Sequence, residues 1–446
     1  MKMNADSLPV EFKERMEKML GGEAKAFFGA FSEPEYVGIR INTLKKDAFD
    51  AVKSVCGSLE PVLWCGNGYY VNKEIISGKH PYHMAGLVYF QEPSAMAAVS
   101  ALDIRPGDFV LDLCASPGGK ATQAAEKLCG NGILVANEII EKRSKILAEN
   151  IMRMGVKNAV VTNETPARLA EKYTAFFDKI IVDAPCSGEG MFKKTPLAID
   201  EWSVDHTYSC ATRQKKILSD AVKMLKGGGS MVYSTCTFAP CENEGVIDWL
   251  LSNYPELELI NIELDGLCDA NGEWVNSKFD LSGAKRIFPH LAKGEGHFVA
   301  LLHKKDGEKA SLKTQKASPQ ADVYRKFEKE NLNTELLGNV ISFGERLYLL
   351  PQGINIDNIK VLTAGLFLGT VKKGRFEPSY ALCLALSSED FKRCMEAENP
   401  QKYFRGETQK TDLSGWTAVT YKGYPLGFGK GADGILKNHF PKYLRF

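Results

Sequence analysis

Between Asp108 and Lys305 the chain alternates short apolar runs with helical stretches, and that alternation constrains the fold more than any other feature. DFVLDLCA (Asp108 to Ala115) reads as a buried strand, followed by a glycine-rich turn and the helix KATQAAEKL. GILVANE (Gly132 to Glu138) is the next strand and EKRSKILAENIMRMG the next helix. The strands NAVVTN and FDKIIVDAPC follow, then a helix over roughly Tyr208 to Leu225, the strand GGGSMVYSTC, the helix CENEGVIDWLLSNY and a late strand, GHFVALLHKK. Short apolar strands separated by helices imply βαβ units and a mostly parallel sheet covered on both faces. Right-handed crossovers make it doubly wound, with ligands expected at the carboxyl ends of the strands.

A chain of 446 residues exceeds one compact core, so further units must flank that sheet. Residues 1–85 read as an α+β extension containing the strand YVGIRINTL, and 86–305 as the sheet domain. A polar, lysine-rich stretch without periodicity makes 306–322 a linker. Glycines between alternating apolar positions then suggest a small α+β module over 323–390 and a β-rich module over 391–446.

Lys+Arg (56) nearly cancels Asp+Glu (55), so the whole-chain charge excludes no partner. From Gln401 onward, however, eight Lys/Arg face three Asp/Glu with aromatics among them, which suits either a phosphate backbone or a solvated face. No apolar run approaches the ~20 residues of a membrane span, and the first residues lack a secretory signature. Eleven cysteines without a paired CxxC read as reduced thiols. The expectation is a cytoplasmic, monomeric protein.

The sharpest local signal is Asp112-Leu113-Cys114-Ala115-Ser116-Pro117-Gly118-Gly119-Lys120, between the first strand and its helix. Two glycines let backbone N–H groups approach a ligand at a helix N-terminus. The GxGxxG of a pyrophosphate site is absent. The loop therefore suits a ligand with an amino-acid moiety and no phosphate, such as S-adenosylmethionine. Glu138 ends the second strand, where a carboxylate can accept both ribose hydroxyls. Asn163 or Glu164 ends the third and is placed to edge an adenine.

Asp183-Ala184-Pro185-Cys186-Ser187-Gly188 follows the fourth strand, and Ser234-Thr235-Cys236-Thr237 the fifth, so two thiols reach the same sheet edge as the loop. Chemistry supplies a reason for the pair. Carbon 5 of cytosine is a poor nucleophile, but a thiolate adding to carbon 6 turns the ring into an enamine that can take a methyl group. A carboxyl group near ring nitrogen 3, the natural role for Asp183, stabilises the adduct. A second group must remove the carbon-5 proton before the thiol can leave. The attacking thiol needs an electropositive setting, for which Lys120 and the sulfonium are candidates. Spacing alone does not order the two cysteines. Methylation of an exocyclic amine predicts an aromatic after Asp-Pro-Pro, where this chain has DAPC.

These stretches closely resemble the Sun/RsmF-like family of RNA 5-methylcytosine methyltransferases. The resemblance covers roughly residues 30–305 and rests on RINTLK, YFQEPSAM, LDLCASPGGKATQ, ANE, DAPCSGEGMF and YSTCTFAPCENE. It implies a class I S-adenosylmethionine-dependent methyltransferase sheet, with Cys236 as nucleophile and Cys186 promoting product release; the reverse assignment is the mechanistic alternative. It also implies cofactor contacts from Cys114, Ala115, Ser116, Pro117, Gly118, Gly119, Lys120, Glu138, Asp183 and Glu164, the last where many members carry Asp. The final stretch, GYPLGFGKGADGILKNHFPKYLRF, resembles the end of a PUA-like RNA-binding module of the bacterial RsmF-like branch. The substrate implied is small-subunit (16S) ribosomal RNA, with an RNA-binding N-terminal extension. Lys422, Lys430, Lys437 and Lys442 with Tyr424, Phe428 and Phe440 form the expected RNA-facing set. A transfer-RNA methyltransferase and a non-catalytic ribosome assembly factor are the competing readings. His80 and His83 lack a third ligand and read as structural, and Cys241 as core.

Overall fold

The computed structural model describes residues 7–195, 197–310, 315 and 317–446. Its centre is a ten-stranded sheet. The strands are β1 (Phe109–Asp112), β2 (Ile133–Asn137), β3 (Ala159–Thr162), β4 (Phe177–Asp183), β5 (Leu225–Thr235), β6 (Leu257–Ile260), β7 (Cys268–Asp269), β8 (Lys285–Ile287), β9 (His297–Lys304) and β10 (Val361–Ala364). They lie in the order β7-β8-β9-β5-β4-β1-β2-β3-β10, with β6 paired to β9. β1 to β5 are mutually parallel, while β9 runs antiparallel to β5. Strand order reverses between β1 and β4, which opens a crevice at their carboxyl ends.

The Val/Ile runs divide by strand period between two faces. Leu111, Val135, Val160, Ile180, Val182 and Met231 join one core with the helix Val204–Met224. Val110, Leu134, Val161, Ile181, Val232 and Val299 join the other with Leu147 and Ile151 of the helix Glu141–Arg153. Every residue of β2 and β3 is buried, so these strands read as continuous apolar segments. No described helix is long and apolar enough to cross a membrane.

The N-terminal unit carries the helices Val10–Leu20 and Ala24–Ala30 and a four-stranded antiparallel sheet that includes Gly38–Ile41. Arg40 of that sheet is fully buried, pairing with Glu126 at 2.6 Å and donating to Gln91, Thr122 and the Gly119 carbonyl. It thereby clamps the extension onto the helix that follows the glycine loop. Deleting one partner of such a pair leaves an uncompensated buried charge, at a cost of about 3–5 kcal/mol.

The C-terminal region forms two further sheets, of four and five strands. β10, from the stretch expected as a separate module, instead pairs antiparallel with β3 and completes the central sheet. An uncovered β3 would expose a row of unpaired backbone groups, and β10 removes that edge. Part of 306–322 lies outside the described residues. Of the rest, Ala310 donates its N–H to the Ala175 carbonyl at 2.8 Å and Glu308 accepts from Gly227 N at 2.9 Å, so these two residues are held at the end of the sheet remote from the crevice.

The expected RNA-facing set divides. Phe428 and Phe440 are buried in the core, because the small C-terminal sheet needs its large rings for packing. Lys422 and Tyr424 sit at one end of their hairpin, where the Tyr424 hydroxyl donates to the Lys46 carbonyl at 3.1 Å. Lys430 and Lys437 are paired toward its other end, and Lys442 lies in the exposed turn Lys442–Leu444.

Candidate active site

The loop after β1 turns on Gly118, whose φ of 116° suits glycine alone. A Cβ at Gly119 would approach the Gln91 side chain to 3.2 Å, so this glycine lets the N-terminal unit close against the loop. Ser116 donates its hydroxyl to the Arg143 carbonyl, and Arg143 returns a bond to the Ser116 carbonyl, both at 3.0 Å. The loop is thus held by the next helix.

A cavity of about 890 Å³ opens at the carboxyl ends of β1, β2, β4 and β5. From the loop it takes Leu113, Cys114 and Ser116; Ala115, Pro117 and Gly118 complete the turn without lining the cavity, and Gly119 and Lys120 begin the helix that follows. Glu138 lines it at the end of β2, with one carboxylate oxygen accepting from Ile140 N at 2.9 Å and the other 3.5 Å from Arg143. Ile139, Ile140, Ala184 and Pro185 supply apolar walls. An acid beside a flat apolar wall, next to a glycine loop without a pyrophosphate fingerprint, fits a nucleoside joined to an amino acid.

The residues that follow β3 divide. Thr165, Pro166 and Ala167 line the cavity, whereas the Glu164 carboxylate accepts from Lys360 N at 2.7 Å, in the segment leading into β10. Asn163 also turns away, donating to the Glu138 and Ile139 carbonyls at 2.8 Å each.

Asp183, Cys186 and Cys236 all line the same cavity. β4 and β5 are parallel neighbours with Asp183 opposite Ser234, so their loops leave the sheet side by side. The two sulfurs lie 3.4 Å apart. The hydrogen bond with Cys236, added to burial, pushes the Cys186 thiol well above its ordinary range. Burial alone would raise the Asp183 carboxyl. Lys120 Nζ at 2.9 Å and the Ser234 hydroxyl at 2.9 Å outweigh it and hold that carboxyl below the usual range. Lys120 is therefore committed to Asp183. His297, pushed down to about 3 by burial first, is neutral there.

Sequence reasoning missed several groups. Glu242, six residues past Cys236, accepts from Ser187 N at 3.0 Å, Ser187 Oγ at 2.5 Å and Gln214 Nε2 at 2.8 Å. Ser187 also bonds Thr237 at 2.8 Å, so one buried cluster ties the two thiol loops together. Burial pushes Glu242 up to about 7 despite those donors. Buried Glu189 plays a parallel part, accepting from Arg15, Trp202 and Phe238 N and linking the N-terminal helix to both loops. Arg143, Arg213 and Lys216 stand exposed around the cavity mouth. The ENE pattern after Cys236 was the available signal for Glu242; single lysines and arginines on a solvated helix give none. Of the other candidates, His80 caps a short helix by accepting from Tyr82 N, and Cys241 bonds Thr207.

Comparisons with known proteins agree along the whole chain. The family model described as 16S rRNA methyltransferase RsmB/F matches residues 99–303. Models for the RsmF N-terminal domain, the first C-terminal domain and the RsmF PUA domain match 8–93, 326–386 and 395–446. The chain is 30% identical over 473 residues to ribosomal RNA small subunit methyltransferase F of Enterobacter sp. (strain 638), covering 100% of this chain and 97% of that one. It is 30% identical over 452 residues to the protein of the same name from Shewanella piezotolerans, covering 94% and 93%. Among solved structures, a methyltransferase homolog protein from Pyrococcus horikoshii aligns with a TM-score of 0.60 at 31% identity, over 66% of this chain and 94% of that one. NSun6 from the same organism, solved with SFG, shares the fold at a TM-score of 0.58 and 21% identity, over 68% of this chain and 99% of that one.

Proposed function

The chain belongs to the 16S rRNA methyltransferase RsmB/F family, and from that membership we propose that it methylates carbon 5 of cytosine in small-subunit ribosomal RNA through a covalent adduct on Cys236. It is an S-adenosylmethionine-dependent RNA methyltransferase, acting in this reading as a monomer in the cytoplasm. The observation that carries the chemistry is the pair of thiols 3.4 Å apart in the cavity that also holds Glu138.

When bound, S-adenosylmethionine supplies an electrophilic methyl group. Cys114 and Ser116 would face its amino-acid end, Glu138 would accept hydrogen bonds from its ribose hydroxyls, and Ile139, Ile140 and Thr165 to Ala167 would flank its base. The target cytosine leaves its stack, at a cost of a few kcal/mol, to reach the same cavity. The Cys236 thiolate adds to carbon 6, and the ring electrons move to carbon 5, which takes the methyl group as the methyl–sulfur bond breaks and its electron pair stays on the donor's sulfur. Ring nitrogen 3 takes a proton from solvent as the adduct forms and returns it when the ring is restored, and Asp183, kept ionised by Lys120, accepts a hydrogen bond from that N–H. Cys186 is a thiol at rest because Cys236 and burial raise it; once Cys236 is bonded to carbon 6, Cys186 loses its proton to solvent, and the thiolate takes the carbon-5 proton as a base. The carbon 6–sulfur bond then breaks, its electron pair leaving with Cys236 as the ring double bond re-forms.

Incubation of the purified protein and labelled S-adenosylmethionine with small-subunit ribosomal RNA lacking the modification tests the reading. Incorporation as 5-methylcytosine is expected. Label found on an exocyclic amine, or incorporated only into transfer RNA, would refute it.

A further inference from the structure

β9 begins at His297, and the next residue, Phe298, pairs with Thr235, the residue before Cys236. The sheet therefore carries an imidazole to the edge from which the thiol loops leave. The residue is 4% exposed, yet among the described residues neither ring nitrogen has a hydrogen-bond partner. Nε2 lies 3.8 Å from Asp183 Oδ1, beyond hydrogen-bond distance, and the Gly296 carbonyl approaches the ring without hydrogen-bond geometry.

Buried polar atoms without a partner cost stability, and a phenyl ring of similar size would fill the same space without that cost. The polar groups nearby are engaged elsewhere: Lys120 holds Asp183 at 2.9 Å, and the Ser234 hydroxyl donates to Asp183 at 2.9 Å. Burial keeps the imidazole neutral, so it offers one N–H donor and one acceptor and carries no proton to give away. Such a group can orient a base and cannot act as its acid.

We propose that His297 reads the target cytosine, its imidazole N–H donating to the base's carbonyl oxygen 2. The inference rests on Asp183 facing ring nitrogen 3, as in the proposed mechanism, and adds a second contact to the same edge of the base. A carboxylate there matches the side of cytosine that presents N–H groups, nitrogen 3 and the exocyclic amine. Oxygen 2 is the acceptor on that edge, and it sits next to nitrogen 3. It therefore falls toward the group that stands next to Asp183 Oδ1, which is the imidazole. A flipped base is read through hydrogen bonds to this edge, and the base displaces any water that holds the imidazole beforehand.

The test uses full-length protein, labelled S-adenosylmethionine and small-subunit ribosomal RNA lacking the modification. His297→Phe keeps a ring of similar size and removes both nitrogens. It is expected to lower kcat/KM for RNA about tenfold, to leave the Kd of S-adenosylmethionine within about twofold and to melt no lower than wild type. His297→Gln returns an N–H donor near the Nε2 position and is expected to recover activity to within about threefold of wild type. A His297→Phe protein as active as wild type would overturn the inference and leave the proposed function standing. So would a His297→Gln protein no more active than His297→Phe, or a loss of activity matched by an equal loss of cofactor affinity. A wild type that forms no 5-methylcytosine would remove the proposed function, and this inference with it.

Discussion

Glu138 and Glu164 end neighbouring strands of one sheet, yet only Glu138 faces the cavity; Glu164 is spent on the backbone of Lys360, nearly two hundred residues along the chain. Two carboxylates in equivalent positions thus do different work. One lines the cavity, and the other fastens the C-terminal region to the rim of the site.

Calorimetric titration of S-adenosylmethionine separates them. Glu138→Ala is expected to weaken binding by tenfold or more, since hydrogen bonds to a charged group contribute about 1.5–3 kcal/mol. Glu164→Ala is expected to leave the Kd within about twofold and to lower the melting temperature, because the C-terminal region is then held by one hydrogen bond fewer.

The cations at the cavity mouth should act on RNA and not on the cofactor. Arg213→Ala/Lys216→Ala is expected to raise KM for RNA several-fold, with less than a twofold change in kcat and in cofactor affinity. The salt dependence of RNA binding should flatten by about 0.7 for each phosphate that these side chains no longer neutralise. A fall in kcat at saturating RNA would place these residues in the chemistry instead.

Glu242 should leave a signature in stability against pH. Its folded pKa of about 7 lies above the ordinary glutamate value of 4.5, so the folded protein holds the proton more tightly than the unfolded chain. Stability from this group is therefore full below about pH 4.5 and falls as pH rises through about 7, by up to about 3 kcal/mol. Melting curves of wild type and Glu242→Gln from pH 5 to 8 should diverge accordingly, the variant gaining on the wild type as pH rises. Parallel curves would mean that Glu242 does not titrate in that window.

What was legible in the sequence follows from physical cause. β1 to β5 were readable because strands buried on both faces are written as unbroken Val/Ile/Leu runs, and the thiol loops because they follow β4 and β5 directly. The direction of the Glu164 side chain was not legible, because strand position specifies where a residue sits and not where its side chain turns, and its partner Lys360 lies far along the chain. β10 was hidden because its segment, NIKVLTAGLFLGTV, runs on without a break into the next strand while the two serve different sheets. Lys120 was expected beside the thiols, but its ammonium finds Asp183 at 2.9 Å. The aromatics of the last module look alike in sequence whether they fill the core, as Phe428 and Phe440 do, or stand half-exposed, as Trp416 does.

The central claim is that Cys236 attacks and Cys186 releases. A denaturing gel of Cys186→Ala and Cys236→Ala proteins tests it, each mixed with S-adenosylmethionine and small-subunit ribosomal RNA lacking the modification. Cys186→Ala is expected to run as a covalent protein–RNA adduct, because carbon 5 keeps its proton and the carbon 6–sulfur bond cannot break. Cys236→Ala is expected to show none. An adduct formed by Cys236→Ala and absent from Cys186→Ala would contradict the account and reverse the two roles.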